Sequence, residues 1–334
     1  MIALLMRSAV AFGHGGPPNS NTLLWSAADP MVVASTHGFL FADEDWNWVC
    51  EEVFGASLPT DVVRTESALV VASTGGLASS QDGCAWNWSS QFLDALVWDL
   101  ATDLDDPDQL WLVSDGGLWH ADADDLIFEP LPLPAAHAKL RAVMPMADGD
   151  LTLFGFLDGV PTVWRGTDPW TSAPLPVRGG QLIALGTDGQ GNAYGRFPLS
   201  NGTDELLQIR PDLSVESILQ TDDRIGAFVA DGDALMVSVN REGTWLSPDQ
   251  GQTWNFGNER TYDCLIQKDT TLWACPNDGD PTIWKRTKAH ILDASKQWEW
   301  GPAFADVSGP RCSDALPECD ALWPTVALEM GVDI

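Results

Sequence analysis

The sequence predicts an all-β chain, a seven-bladed β-propeller with four-stranded antiparallel blades and a short, disulfide-looped C-terminal tail. Three observations lead there. The chain repeats itself: "MVVASTHGFLFADEDWNWVC" from Met31 and "LVVASTGGLASSQDGCAWNW" from Leu69 are two copies of one unit, and weaker copies start at Leu110, Leu151, Asn192, Ala234 and Thr271. The starts lie 38, 41, 41, 41, 42 and 37 residues apart, room for four strands of about five or six residues each. Finally, 17 Trp against two Tyr, with 30 Gly and 22 Pro, suits short strands joined by tight turns better than long helices.

Within each unit the first quoted run is the second strand of a blade, and the innermost strand precedes it. The inner strands are expected at "VVRTE" near Val62, "DALVWD" near Asp94, "RAVMPM" near Arg141, "QLIALG" near Gln181, "RIGAFVA" near Arg224 and "TYDCLI" near Thr261. Blade one takes its inner strand from "TLLWSA" near Leu23, and blade seven its outer strand from "QWEWGP" near Trp298. The propeller then spans 14–301, and 302–334 form a tail packed on it, with a short helix around "TVALEM". Residues 1–13, apolar and ending in small residues, read as the remnant of a secretory leader cleaved after Ala11 or Gly13, although Arg7 interrupts the apolar run.

A formal charge of −31 would repel phosphate backbones and anionic membranes, which speaks against nucleic-acid binding. No apolar run is long enough for a membrane-spanning helix. The six cysteines follow no zinc spacing and suit an oxidising compartment, secreted or periplasmic. Cys264 and Cys275 flank a hairpin centred on "KDTT", Cys312 and Cys319 close a short loop in "CSDALPEC", and Cys50 and Cys84 are left as a third pair.

The octet "SPDQGQTW" at 247–254 follows the pattern S-x-D-x-G-x-T-W. As a turn between the third and fourth strands of a blade it has a role for each residue. Asp249 accepts backbone N–H groups, Ser247 adds a hydroxyl, Gly251 supplies a permissive backbone, and Trp254 packs between blades. In "SSQDGCAW" the copy, aligned on Gly83 and Trp86, is eroded, with Asp82 one place late; in "FADEDWNW" the loop is shorter still.

With the octet, the segments "DEDWNWVCEEVFG", "DGCAW", "CLIQKDTTLWAC" and "CSDALPECDALWP" make nearly the whole chain resemble the Asp-box (BNR-repeat, sialidase-like) propellers, and among them secreted propellers of myxobacteria and related bacteria. The resemblance implies an exported, disulfide-bonded propeller and brings no defined activity. A sialidase of that fold needs three arginines on a carboxylate and a tyrosine nucleophile with a nearby Glu. The candidates for the channel face are Arg64, Arg141, Arg224, Arg260 and Tyr262, but the family's N-terminal R-I-P motif is absent and no Glu stands in a recognisable partner position.

No cofactor is expected. The acidic turns 103–108, 122–125 and 277–281 could take calcium but follow no established loop pattern, and His14 would chelate copper only as a new N-terminus. The function expected is a monomeric, non-catalytic binding or scaffold module for a protein or glycan partner. The alternatives are a sialidase-like glycoside hydrolase and an assembly factor resembling those of photosystems. Most of the Trp repeat in register as blade packing, which leaves Trp170 and Trp323 as candidate contact residues.

Overall fold

Each of the seven repeats forms its own antiparallel sheet, entered at the central channel and left at the rim. The computed structural model describes residues 20–332 apart from 26–30, 43, 55–58, 104–105, 123–125, 177–181, 269, 278 and 297. Six sheets have four strands and one has five, and within each blade sequential strands are hydrogen-bonded neighbours. The inner strands are Ser20–Leu24, Pro59–Arg64, Val97–Thr102, Ala138–Pro145, Ile183–Thr187, Ile225–Asp231 and Tyr262–Lys268.

Second strands such as Val32–Ser35, Leu69–Ser73 and Ala234–Val239 are buried at every residue. They read as unbroken apolar runs because a neighbouring blade covers each face. Aromatic edges fill the space between blades: Phe92 meets Trp119 and Phe128 at 5.4 and 5.2 Å. The repeated "ST-x-G" turn also has a physical cause. Ser35 and Ser73 each donate a hydroxyl bond of 3.0 Å to the carbonyl of Gly38 and Gly76. Those glycines sit at φ +111° and +133°, where a Cβ would lie 2.2 and 2.4 Å from the carbonyl oxygens of Val49 and Phe92.

Every inner strand carries a β-bulge at the same place, near its start. The pairing skips Asn21, Thr60, Trp98, Arg141, Leu185, Gly226 and Asp263 in blades one to seven. A bulge bends its strand and re-aims one side chain, so seven of them ring one mouth of the channel. Side chains beside the bulges tie blade to blade: Asp61 accepts from Leu100 N at 3.0 Å and Asp99 from Val143 N at 2.7 Å, while Thr60 donates to the Val97 carbonyl at 2.9 Å.

Ring closure uses the C-terminal tail. Strand Val307–Pro310 pairs parallel with Trp46–Val49 and becomes the fifth strand of blade one. Helix α1, Pro317–Met330, follows, with Trp323 against Trp48 at 5.6 Å and Glu329 paired to the buried His37 at 2.7 Å. The tail cysteines do not bond to each other as their spacing suggested. Cys319 joins Cys50 and Cys312 joins Cys84, with Cα separations of 5.2 and 5.5 Å. Cys312 lies before α1 and Cys319 in its first turn, so the two reach separate outer loops, one in blade one and one in blade two. Cys264 and Cys275 face each other across their hairpin, 4.9 Å apart, as the sequence indicates.

Candidate functional site

The octet at 247–254 links strand Gly243–Ser247 to strand Asn255–Asn258 at the rim of blade six. Asp249 accepts from Thr253 N at 2.8 Å and from the Thr253 hydroxyl at 2.6 Å, and Ser247 donates to it at 2.9 Å. These bonds hold its carboxyl below the ordinary value. Gly251 N donates to Ser247 Oγ at 2.8 Å, and Trp254 Nε1 reaches across to the Ile218 carbonyl of blade five at 2.7 Å. The side chains of Ser247 and Asp249 are therefore spent within the turn, while Gln250 donates outward to Gln190 and Asp233. The copy in blade two keeps the serine and backbone bonds to its Asp but, with Ala85 in the place of Thr253, not the threonine hydroxyl bond. Ser80 donates to Asp82, which accepts from Cys84 N and Ala85 N at 2.8 and 3.0 Å. Counted from Ser80 instead of Trp86, Asp82 stands in place and the turn is one residue shorter.

The four arginines do not share a site. Arg64 is the last residue of its inner strand, at the end of the channel away from the bulges, and is buried. Arg141, at the bulge of blade four, stacks on Trp98 with 3.9 Å to the ring centroid. Arg224 precedes the inner strand of blade six and is exposed near Arg196. Burial pushes the Arg196 guanidinium down, Arg224 adds repulsion, and Asp204 at 2.9 Å offsets part of both. Only Arg260 and Tyr262 come together.

They line a cavity of about 480 Å³ at the seam of blades six and seven, on the face ringed by the bulges. Its wall is made by Arg260 and Tyr262 at the start of the inner strand of blade seven, by Asn277 and Asp280 in the next loop, and by Lys285 and Trp300 on the outer strands. Lys285 is only 2% exposed, pairs with Asp280, and holds its ammonium 3.7 Å from the centre of the Trp300 ring. The Arg260 guanidinium stands 5.6 Å from the same ring. Trp300 itself is 58% exposed.

The protonation states follow from these contacts. Burial pushes the Asp280 carboxyl up, but hydrogen bonds from Lys285 and Thr282 outweigh it and keep it below the ordinary value. Lys285 is lowered by burial, partly restored by Asp280, and lowered again by Arg260. Tyr262 is fully buried and packs on Trp298 at 5.4 Å. Burial pushes its phenol up to about 12, with Arg260 acting in the opposite direction. Its hydroxyl has no partner in hydrogen-bond geometry among the described residues. A phenol held this high stays neutral at physiological pH, the reverse of what a tyrosine nucleophile requires.

Lys285 and Trp300 escape a sequence reading, and Asp280 stands out only as part of the acidic turn 277–281. "TIWKR" and "QWEWGP" carry Lys285 and Trp300 on strand positions that repeat in register, so they read as packing and solvated edge. The two off-register tryptophans are not the exposed ones: Trp323 packs on Trp48, and Trp170 packs against the core of blade four. Among the described residues no group of three His, Cys, Asp or Glu side chains gathers to hold a metal ion, and no helix is long and apolar enough to cross a membrane. Residues 1–13, His14 and parts of the three acidic turns lie outside the described residues.

The fold and the pocketed channel mouth place the chain among seven-bladed propellers. No protein-family profile and no curated protein matches the sequence. Solved structures do. The extracellular domain of BT4673 from B. thetaiotaomicron is similar at 13% identity and TM-score 0.54, over 80% of this chain and 39% of that one. An ancestral GH74 enzyme is similar at 10% identity and TM-score 0.59, over 87% and 47%. YCF48 from Cyanidioschyzon merolae is similar at 13% identity and TM-score 0.52, over 79% and 97%. The chain thus spans under half the length of the first two, and at these identities the likeness is one of fold.

Proposed function

We propose that this chain is a non-catalytic recognition module of Asp-box type, acting outside the cytoplasm through the channel-mouth face at the seam of blades six and seven. The observation that carries the reading is the character of the pocket. It combines an exposed indole, an exposed guanidinium and a buried neutral phenol, and its buried ammonium, Lys285, is paired with Asp280. Tyr262 is held neutral, which speaks against a phenolate nucleophile, and Asp280 is held ionised by Lys285, which speaks against a proton donor. The three disulfides and the extracellular neighbour support a location outside the cytoplasm.

Two measurements on the purified chain test this. Immobilised protein is exposed to native extracellular and envelope material beside the double variant Arg260→Ala, Trp300→Ala. Retention by the first and not the second supports recognition at this face; equal retention contradicts it. The same preparation is offered a panel of fluorogenic glycosides, where turnover abolished by Tyr262→Phe would install the hydrolase reading instead. A partner captured as a membrane-protein assembly intermediate would favour the assembly-factor role.

A further inference from the structure

The pocket also specifies what it binds. We infer that it takes a uronic-acid unit of an acidic oligosaccharide, with Trp300 as stacking platform, Arg260 as carboxylate partner and the Tyr262 hydroxyl as hydrogen-bond partner for a sugar oxygen. The inference rests on the reading of this face as the recognition surface.

Each part of the ligand answers a feature of the site. The Trp300 ring has the Lys285 ammonium 3.7 Å from its centre and is 58% exposed to solvent, as a platform for the C–H face of a pyranose must be. Lys285 spends its charge on Asp280, and Asn277 donates to Asp263 at 2.8 Å. Arg260 is exposed, and among the described residues it forms no ion pair. A carboxylate entering the pocket therefore meets one guanidinium outside any ion pair among the described residues, with Glu259 of the same wall as the nearest exposed carboxylate in sequence.

The Tyr262 hydroxyl supplies the second, independent sign of a ligand. Tyr262 is fully buried in the cavity wall, and its hydroxyl has Arg260 nearby but no partner in hydrogen-bond geometry among the described residues, a cost that an incoming oxygen would relieve. Apart from Trp300, Tyr262 and two prolines, the wall is polar, which suits a polyol better than the side chains of a peptide. A volume of about 480 Å³ lies in the range of roughly 300–1,000 Å³ that small-ligand sites occupy.

The test is calorimetric titration of the purified chain with oligogalacturonate and oligoglucuronate, with their methyl esters, and with a Glu-rich peptide of matched charge. Binding of at least one acid form is expected, with about tenfold or greater weakening on esterification and on Arg260→Ala, as for loss of a charged hydrogen bond. Trp300→Ala should weaken acid and ester forms alike, and Tyr262→Phe should weaken binding while unchanged melting shows the fold intact. Equal affinity for acid and ester, no binding of either acid form at millimolar concentration, or indifference to Arg260→Ala would overturn the inference. Arg260-dependent binding of the Glu-rich peptide, with no sugar bound, would overturn the ligand class yet leave the recognition face standing. No ligand here and no Arg260-dependent retention of extracellular material would remove both.

Discussion

Removing the bonds between tail and blades should show that the tail is a covalent clasp on the ring. Cys50–Cys319 and Cys84–Cys312 enclose separations of 269 and 228 residues and are nested. In the chain-entropy description the first bond to form restricts the unfolded chain by about 5.5 kcal/mol. The second then closes only the path through the first, 34 residues from Cys50 to Cys84 and seven from Cys312 to Cys319, which is worth about 4 kcal/mol. Replacing either pair by serine should therefore cost about 4 kcal/mol, and replacing both about 9.5, more than the sum of the singles by about 1.5 kcal/mol. Guanidinium unfolding of the two single-pair variants and the combined one checks this. Costs below about 1 kcal/mol for either pair, or a combined loss clearly smaller than the sum, would refute the nested-loop reasoning.

The two tyrosines, Tyr194 and Tyr262, are both buried with raised phenols. Because each folded value lies above the ordinary one, their contribution to stability is complete below about pH 10 and is lost as the pH rises through the folded values. Absorbance at the phenolate band should stay flat to about pH 11 in the folded protein and rise near pH 10 once it is unfolded. Asp280→Asn strands the buried Lys285 and should cost about 2–3 kcal/mol, less than for a wholly enclosed pair because Asp280 keeps some solvent. As the Asp280 carboxyl is held below its ordinary value, that contribution should persist down to about pH 4 and fade below it in acid melts. Gly251→Ala adds a Cβ 2.7 Å from Ile218 at φ +89° and should cost more than about 1–2 kcal/mol, whereas Gly149→Ala, at φ +83° with nothing within 4 Å, should cost only the backbone penalty of about that size.

How much of this was readable in advance differs between scaffold and site. The blades were readable because a strand buried on both faces must be apolar throughout and must recur once per blade, and seven such runs mark the chain. The bulge ring was not, since Asn21, Thr60, Trp98, Arg141, Leu185, Gly226 and Asp263 share no chemistry, only a position. The hairpin disulfide follows from local register, but the other two depend on where a tail of some thirty residues lands. Aligning the blade-two turn on Trp86 hid a one-residue deletion that the hydrogen bonds of Asp82 reveal. The pocket stayed hidden for a related reason: Lys285 and Trp300 sit on regular strand positions, and their role comes from Asp280 in a loop and Arg260 in the connection from blade six. Arg260 and Tyr262 were visible because a cation and one of two tyrosines precede an inner strand.

The most direct test of the central claim, that ligands are recognised at the seam of blades six and seven, is to watch the indole N–H signals of the 17 tryptophans during titration with bound ligand or partner. Signals assigned by single Trp→Phe variants should show Trp300 shifting most, followed by Trp298 against Tyr262, with Trp88 on the outer strand of blade two unmoved. A titration that moves Trp88 and leaves Trp300 in place would contradict the account.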